Sequence, residues 1–198
     1  DRISFGNDKK NIFFIWPTLI FLLAIISMAN VLTEGSVDSW GALYMKDFIK
    51  VAGFQVGIAT ISFNIFMVFG RIYGDSFRDK FGVYNLLLIS MLFTIISLVI
   101  LINFNTILSS ILGFALLGLG ASSVVPMAYS LASKMKGVDS GVGITIISIA
   151  VYSTFIGAPA SLGLLANSHG INYIFVPILI IFILLLIPIK IFKNEFKL

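Results

Sequence analysis

The sequence predicts an all-α membrane protein that crosses a bilayer six times, and three observations carry that expectation. The 198 residues are 59% hydrophobic and 11% charged, against roughly a quarter charged in soluble domains, and the mean hydropathy is +1.07. A water-soluble core of this size cannot hide so much apolar surface. Six apolar stretches are long enough to span, since about 20 residues at roughly 1.5 Å each cross a hydrocarbon layer about 30 Å thick. The basic residues then gather in alternate loops between these stretches.

Taken in order, residues 1–10 are polar and read as a cytoplasmic linker. The first span covers 11–46, too long for one straight crossing, and a bend is expected near Gly35 between Glu34 and Ser36. The second covers 54–73 and the third 83–102, with a turn at Asn103, Asn105 and Thr106. The fourth, 107–132, and the fifth, 142–166, are rich in small residues and carry Pro126 and Pro159. Small residues let helices approach closely in lipid. The sixth, 171–192, is almost all Ile, Leu, Phe and Val, as a lipid-facing helix is, and 193–198 form a basic cytoplasmic tail.

Six spans sort Lys and Arg into two sets. Arg2, Lys9, Lys10, Arg71, Arg78, Lys80, Lys134, Lys136, Lys190, Lys193 and Lys197 fall on one side, and only Lys46 and Lys50 on the other, eleven against two. Both termini are therefore expected in the cytoplasm, and a multi-pass protein of a bacterial cytoplasmic membrane is the expected setting. The net charge of +4 does not point to nucleic acid, because the basic residues are scattered in short loops and form no basic face. The absence of cysteine excludes disulfides, a catalytic thiol and thiolate metal sites. No phosphate-cradling GxxxxGK[ST] or HExxH motif occurs, and the lone His169 falls in a turn, so neither an enzyme, a metal site nor a cofactor is expected. The chain begins at Asp1 with no cleavable signal pattern, which reads as the start of a fragment or processed piece.

Between spans two and three lies GRIYGDSFRDKFGVYNLL, residues 70–87. Gly70 and Gly74 permit close helix approach, and Arg71, Asp75, Arg78, Asp79 and Lys80 supply charges that can latch helix ends; Arg71 and Asp75 stand at i, i+4 spacing. The alternative is that the cations only fix topology and snorkel. The segment Asp79, Lys80, Phe81, Gly82 resembles the signature loop of the major facilitator superfamily, although Asp75 stands where that family has glycine and Val83 and Tyr84 where it has a basic pair. Such a worn copy resembles the loop of the second six-helix half. IGAPASLGLLA, residues 156–166, is similar to the family's eleventh helix, and EGSVDSWGALY, residues 34–44, to the seventh helix of the sugar and fucose permease-like branch. The resemblance implies two inverted three-helix repeats, a missing N-terminal six-helix half as partner, a small-molecule substrate, and secondary active transport by alternating access, driven by an ion gradient.

Candidate functional residues follow from polarity at membrane depth. Glu34 and Asp38 lie four apart, on one helix face, with Trp40 near. Carboxylates in a span usually line a water-filled path or couple ions; at the wet headgroups they would only cap the helix, with Trp40 in the aromatic belt. Asn64 either contacts substrate or bonds to a neighbouring helix. Ser122, Ser123, Tyr129 and Tyr152 present hydroxyls either to a cavity or to packing contacts. A non-transporting membrane scaffold using the same helices is the competing reading; polar residues facing the interior argue for transport.

Overall fold

The computed structural model describes residues 18–135 and 138–196, apart from the side chains of Asn194 and Glu195. The expected linker 1–10, the opening of span one, Lys136 and the tail residues 197–198 lie outside the described residues. Six helices carry the fold: α1 (Thr18–Asp47), α2 (Ile58–Asn103), α3 (Ile107–Ser122), α4 (Val124–Lys134), α5 (Ser140–His169) and α6 (Phe175–Ile191). With α3 and α4 taken as one run, five helical segments among the described residues are long and apolar enough to cross a membrane, where the sequence led us to expect six spans.

The difference lies in α2. A straight helix of 46 residues would be about 69 Å long, twice a bilayer. It is not straight: Gly82 has φ 76° and ψ 159°, a region open essentially to glycine alone. The packing of α3 shows what this break does. A Cβ on Gly118 would strike the Phe63 carbonyl and lie 3.0 Å from the Met67 amide, whereas one on Gly120 would lie 2.7 Å from the Ser90 carbonyl and 2.9 Å from the Thr94 amide. One short helix therefore touches both arms of α2. Further along, Gly74 meets Ser123 and Gly113 meets Leu101. Contacts with the first arm advance in parallel with α3, and those with the second run antiparallel. The two arms thus run in opposite directions, and the single residue Gly82 reverses the chain.

Other helices alternate in the same manner. Gly41 of α1 packs on Ala59 and Thr60 at the start of α2, while Glu34 faces Arg71 further along it. Gly143 of α5 sits against the Ala132 carbonyl of α4, and Tyr129 meets Ser148, so those two helices are antiparallel. The helix α1 continues through Gly35 without interruption, where a bend was expected; its 30 residues span about 45 Å, longer than a hydrocarbon layer of about 30 Å. The break instead falls between α3 and α4, at Ser123. Pro126 explains it, because proline has no N–H to return to the Ser122 carbonyl and its ring crowds that turn.

At the end of the bundle opposite Gly82, a buried aromatic cluster joins four elements. The Tyr44 ring lies 5.5 Å from Phe114 and 5.4 Å from Phe175, both edge to face, the arrangement aromatic quadrupoles favour. Its hydroxyl donates to the Leu101 carbonyl at 2.8 Å, and the Ser97 hydroxyl donates to the Gly113 carbonyl at 2.7 Å. In lipid these dry contacts and interhelical hydrogen bonds hold helices together, since burial of Leu against Leu gains little over Leu against lipid tails.

Candidate functional site

Glu34 stands near the middle of α1, on a helix whose buried residues include Ser27, Asn30, Thr33 and Ser36. A carboxylate at that depth needs partners. Its Oε1 accepts a hydrogen bond from Asn30 Nδ2 at 2.8 Å, and its Oε2 lies 4.0 Å from the Arg71 guanidinium. That distance is the outer limit of an ion pair, and the Arg71 side chain is about half exposed at 53%, so the pair is loose. Glu34 and Arg71 open into a cavity of about 600 Å³ whose other walls are Val125, Pro126 and Tyr129 of α4 with Val151, Tyr152 and Phe155 of α5. Tyr129 exchanges a hydrogen bond of 3.1 Å with Ser148. Four helices thus deliver one carboxylate, one guanidinium and two phenols to an otherwise apolar chamber.

The sequence candidates separate on this geometry. Glu34, Arg71, Tyr129 and Tyr152 come together. Asp38, one turn beyond Glu34, is exposed. Trp40 lines a different cleft of about 560 Å³ with Asp47, Asn167 and Asn172, where its ring lies over Gly163. Asn64 is exposed and donates to the Thr60 carbonyl of its own helix at 2.9 Å. Ser122 is buried, donates to the Leu119 carbonyl at 2.7 Å and packs directly on Gly70. Two participants were missed: Asn30, an amide four residues before Glu34, and Ser148.

The segment from Gly70 to Phe81 is helical throughout, and only Gly82 leaves the helix. Arg71 does not pair with Asp75 as its spacing suggested, because its side chain reaches across to α1. Arg78 takes that place, 3.0 Å from Asp75 and 3.5 Å from Asp79. Arg78, Asp79 and Gly82 line a cavity of about 610 Å³ together with Lys134 and Lys193, and the Lys193 ammonium sits 5.3 Å from the Tyr84 ring centre. Lys134 at the end of α4 and Lys193 just past α6 therefore meet the Gly82 turn at one end of the bundle.

Residues 12–197 match the Major Facilitator Superfamily, nearly the whole chain. The chain belongs to the major facilitator superfamily. Among the relatives of this facilitator chain are membrane protein MosC of Rhizobium meliloti, 30% identical over 87% of this chain and 42% of that protein, and an uncharacterized MFS-type transporter of Yersinia pestis, 26% identical over 86% and 44%. Solved structures of a peptide transporter, POT, share the fold, with a TM-score of 0.80 for a mutant in complex with alafosfalin and 0.79 for POT in complex with sulfate, each at 17% identity over 92% of this chain. The facilitator chain spans less than half the length of the relatives it matches. It is a multi-pass membrane protein of a transporter family, and Tyr152 at 67% and Ile156 at 80% are among its exposed residues.

Proposed function

We propose that this chain is the C-terminal six-helix half of a secondary transporter that moves a small solute by alternating access, coupled to an ion gradient. The observation that carries the reading is the Glu34–Arg71 pair at mid-helix depth, open to a chamber with two tyrosines. A charged pair at such depth has no packing advantage over leucine and is kept where water, ions or solute pass. Alternating access fits a chamber that is half complete: the second half, an N-terminal six-helix unit, closes it, and the two rock about the site between them.

The reversal at Gly82 supports six crossings, with α1 and the two arms of α2 forming one triplet and α3–α4, α5 and α6 an inverted second. The gathering of Arg78, Lys80, Lys134, Lys190 and Lys193 toward one end supports placing that end and both termini in the cytoplasm, in the inner membrane of a bacterium. Asp79 and Arg78 at the turn act as a latch that breaks when the halves part.

Transport assays with the intact protein test the reading. Glu34→Gln should lower gradient-driven uptake at least about tenfold, the scale of one charged hydrogen-bonded contact, while solute exchange across the membrane persists; driven uptake unchanged in Glu34→Gln and Asp38→Asn alike would refute coupling. Asp79→Ala should slow transport with normal membrane insertion, whereas loss of insertion alone would assign that aspartate to topology.

A further inference from the structure

We propose that Asn30 is a positioning residue that ties the protonation of Glu34 to the helix break at Ser122–Ser123, an inference that rests on reading Glu34 as the coupling carboxylate. Asn30 is fully buried, and its Nδ2 makes two contacts: it donates to Glu34 Oε1 at 2.8 Å and to the Ala121 carbonyl at 3.2 Å. Both partners are acceptors, which fixes the orientation of the amide. Its Oδ1 is left buried without a partner. Among the described residues only one other buried side-chain atom shares that condition, Trp40 Nε1, and that atom is a donor. Asn30 Oδ1 is therefore the vacant buried acceptor, one helical turn from the acid.

This arrangement suits an ionised Glu34, which can only accept. Protonation from the water of the cavity turns one oxygen into a donor, and Arg71 loses its anionic partner. The groups facing Glu34 are Arg71 from α2, Tyr129 from α4, Tyr152 from α5 and Asp38 from its own helix. Arg71 only donates, Tyr129 is engaged with Ser148, and Tyr152 and Asp38 are exposed. The desolvated acceptor in reach is Asn30 Oδ1, and a buried acceptor left empty costs more than one in water. For Oδ1 to take the new proton the amide must turn over. That turn brings Oδ1 toward the Ala121 carbonyl, acceptor against acceptor, in place of a hydrogen bond.

Ala121 is the penultimate residue of α3, two residues before the break at Ser123. Its tie to Asn30 fastens α1 to the end of α3 at the place where Pro126 weakens the helix. Losing the tie frees α4 to move against α3, and α4 carries Tyr129 and one wall of the chamber. Proton binding is thereby converted into motion of the cavity wall.

Hydrogen exchange measured on the intact transporter in detergent tests this without knowledge of the solute. With rates corrected for intrinsic pH dependence, the amides of Val124, Val125 and Met127 should exchange about fivefold faster at acid pH than at alkaline pH in the wild type, the scale of one hydrogen bond. Glu34→Gln, which can donate from its amide as the protonated acid does, should exchange fast at both pH values. Asn30→Leu should lose the pH response. A wild-type pH response retained in Asn30→Leu or in Glu34→Gln would overturn the proposal, as would a wild type with no response. Unaltered driven uptake in Glu34→Gln alongside an abolished exchange response would remove the coupling role and leave the Asn30 link standing.

Discussion

At the scale of single residues, the molecule uses glycine in two distinct ways. Gly118 lies where a Cβ would strike the Phe63 carbonyl, so that α3 and α2 meet backbone to backbone, whereas Gly157 has nothing within 4 Å of a Cβ. Gly118→Ala should therefore destabilise the protein by about 1–3 kcal/mol through overpacking, and Gly157→Ala should be neutral or slightly stabilising because alanine favours the helix. Thermal unfolding of the two variants in one detergent checks the contrast. Much of the candidate site was legible at this scale. Glu34 was recognisable as a carboxylate inside an apolar run, and Tyr129 and Tyr152 as hydroxyls in small-residue helices. Arg71 was not, because its place in a charge-rich segment pointed to the loop and no spacing rule tells how far a long arginine side chain reaches toward another helix. Asn30 was missed although its spacing of four from Glu34 was visible; one amide among apolar residues gives no sign of the carbonyl at Ala121, which is 91 residues away in sequence.

At the scale of elements, the break points decide the architecture, and they are not where composition drew attention. Gly35, flanked by polar residues, continues its helix, because a glycine in lipid keeps its backbone hydrogen bonds within the helix unless something replaces them. Gly82, inside a charged segment, reverses the chain with a backbone conformation closed to other residues. Replacing it should be costly. Gly82→Val is expected to destabilise the fold by about 1–3 kcal/mol, read as a lower melting temperature and a lower yield of monodisperse protein, whereas Gly82→Val with an unchanged melting temperature would mean that the turn can be made in another way. The break at Ser123 was equally open to sequence reasoning, since Pro126 three residues later announces it. The C-terminal end of α5 was less so, because Asn167, Ser168 and His169 are polar and read as loop while the helix runs on through them.

At the scale of the whole molecule, charge and packing agree on one polarity of the bundle. The cluster of Arg78, Lys134 and Lys193 lies around the Gly82 turn, and the dry aromatic cluster of Tyr44, Phe114 and Phe175 fills the interior at the other end, where, among the described residues, Lys46 and Lys50 are the only cations. The family was legible from Asp79, Lys80, Phe81 and Gly82; for the six crossings expected from six apolar stretches, packing supplies a reason why two of those stretches form one element, a reversal made by one residue. Most directly exposed to test is the claim that the chain doubles back at Gly82 and so crosses the membrane six times. None of these 198 residues is cysteine, so each single replacement is the one thiol within them. With an impermeant thiol reagent applied to intact cells, Ala52→Cys, Asn105→Cys and Ser168→Cys, all at exposed turn or helix-end positions, should be labelled from outside. Ser76→Cys and Ser140→Cys should be labelled only after the membrane is opened; labelling of Ser76→Cys and Asn105→Cys from the same side would contradict the reversal, and with it the depth assigned to Glu34.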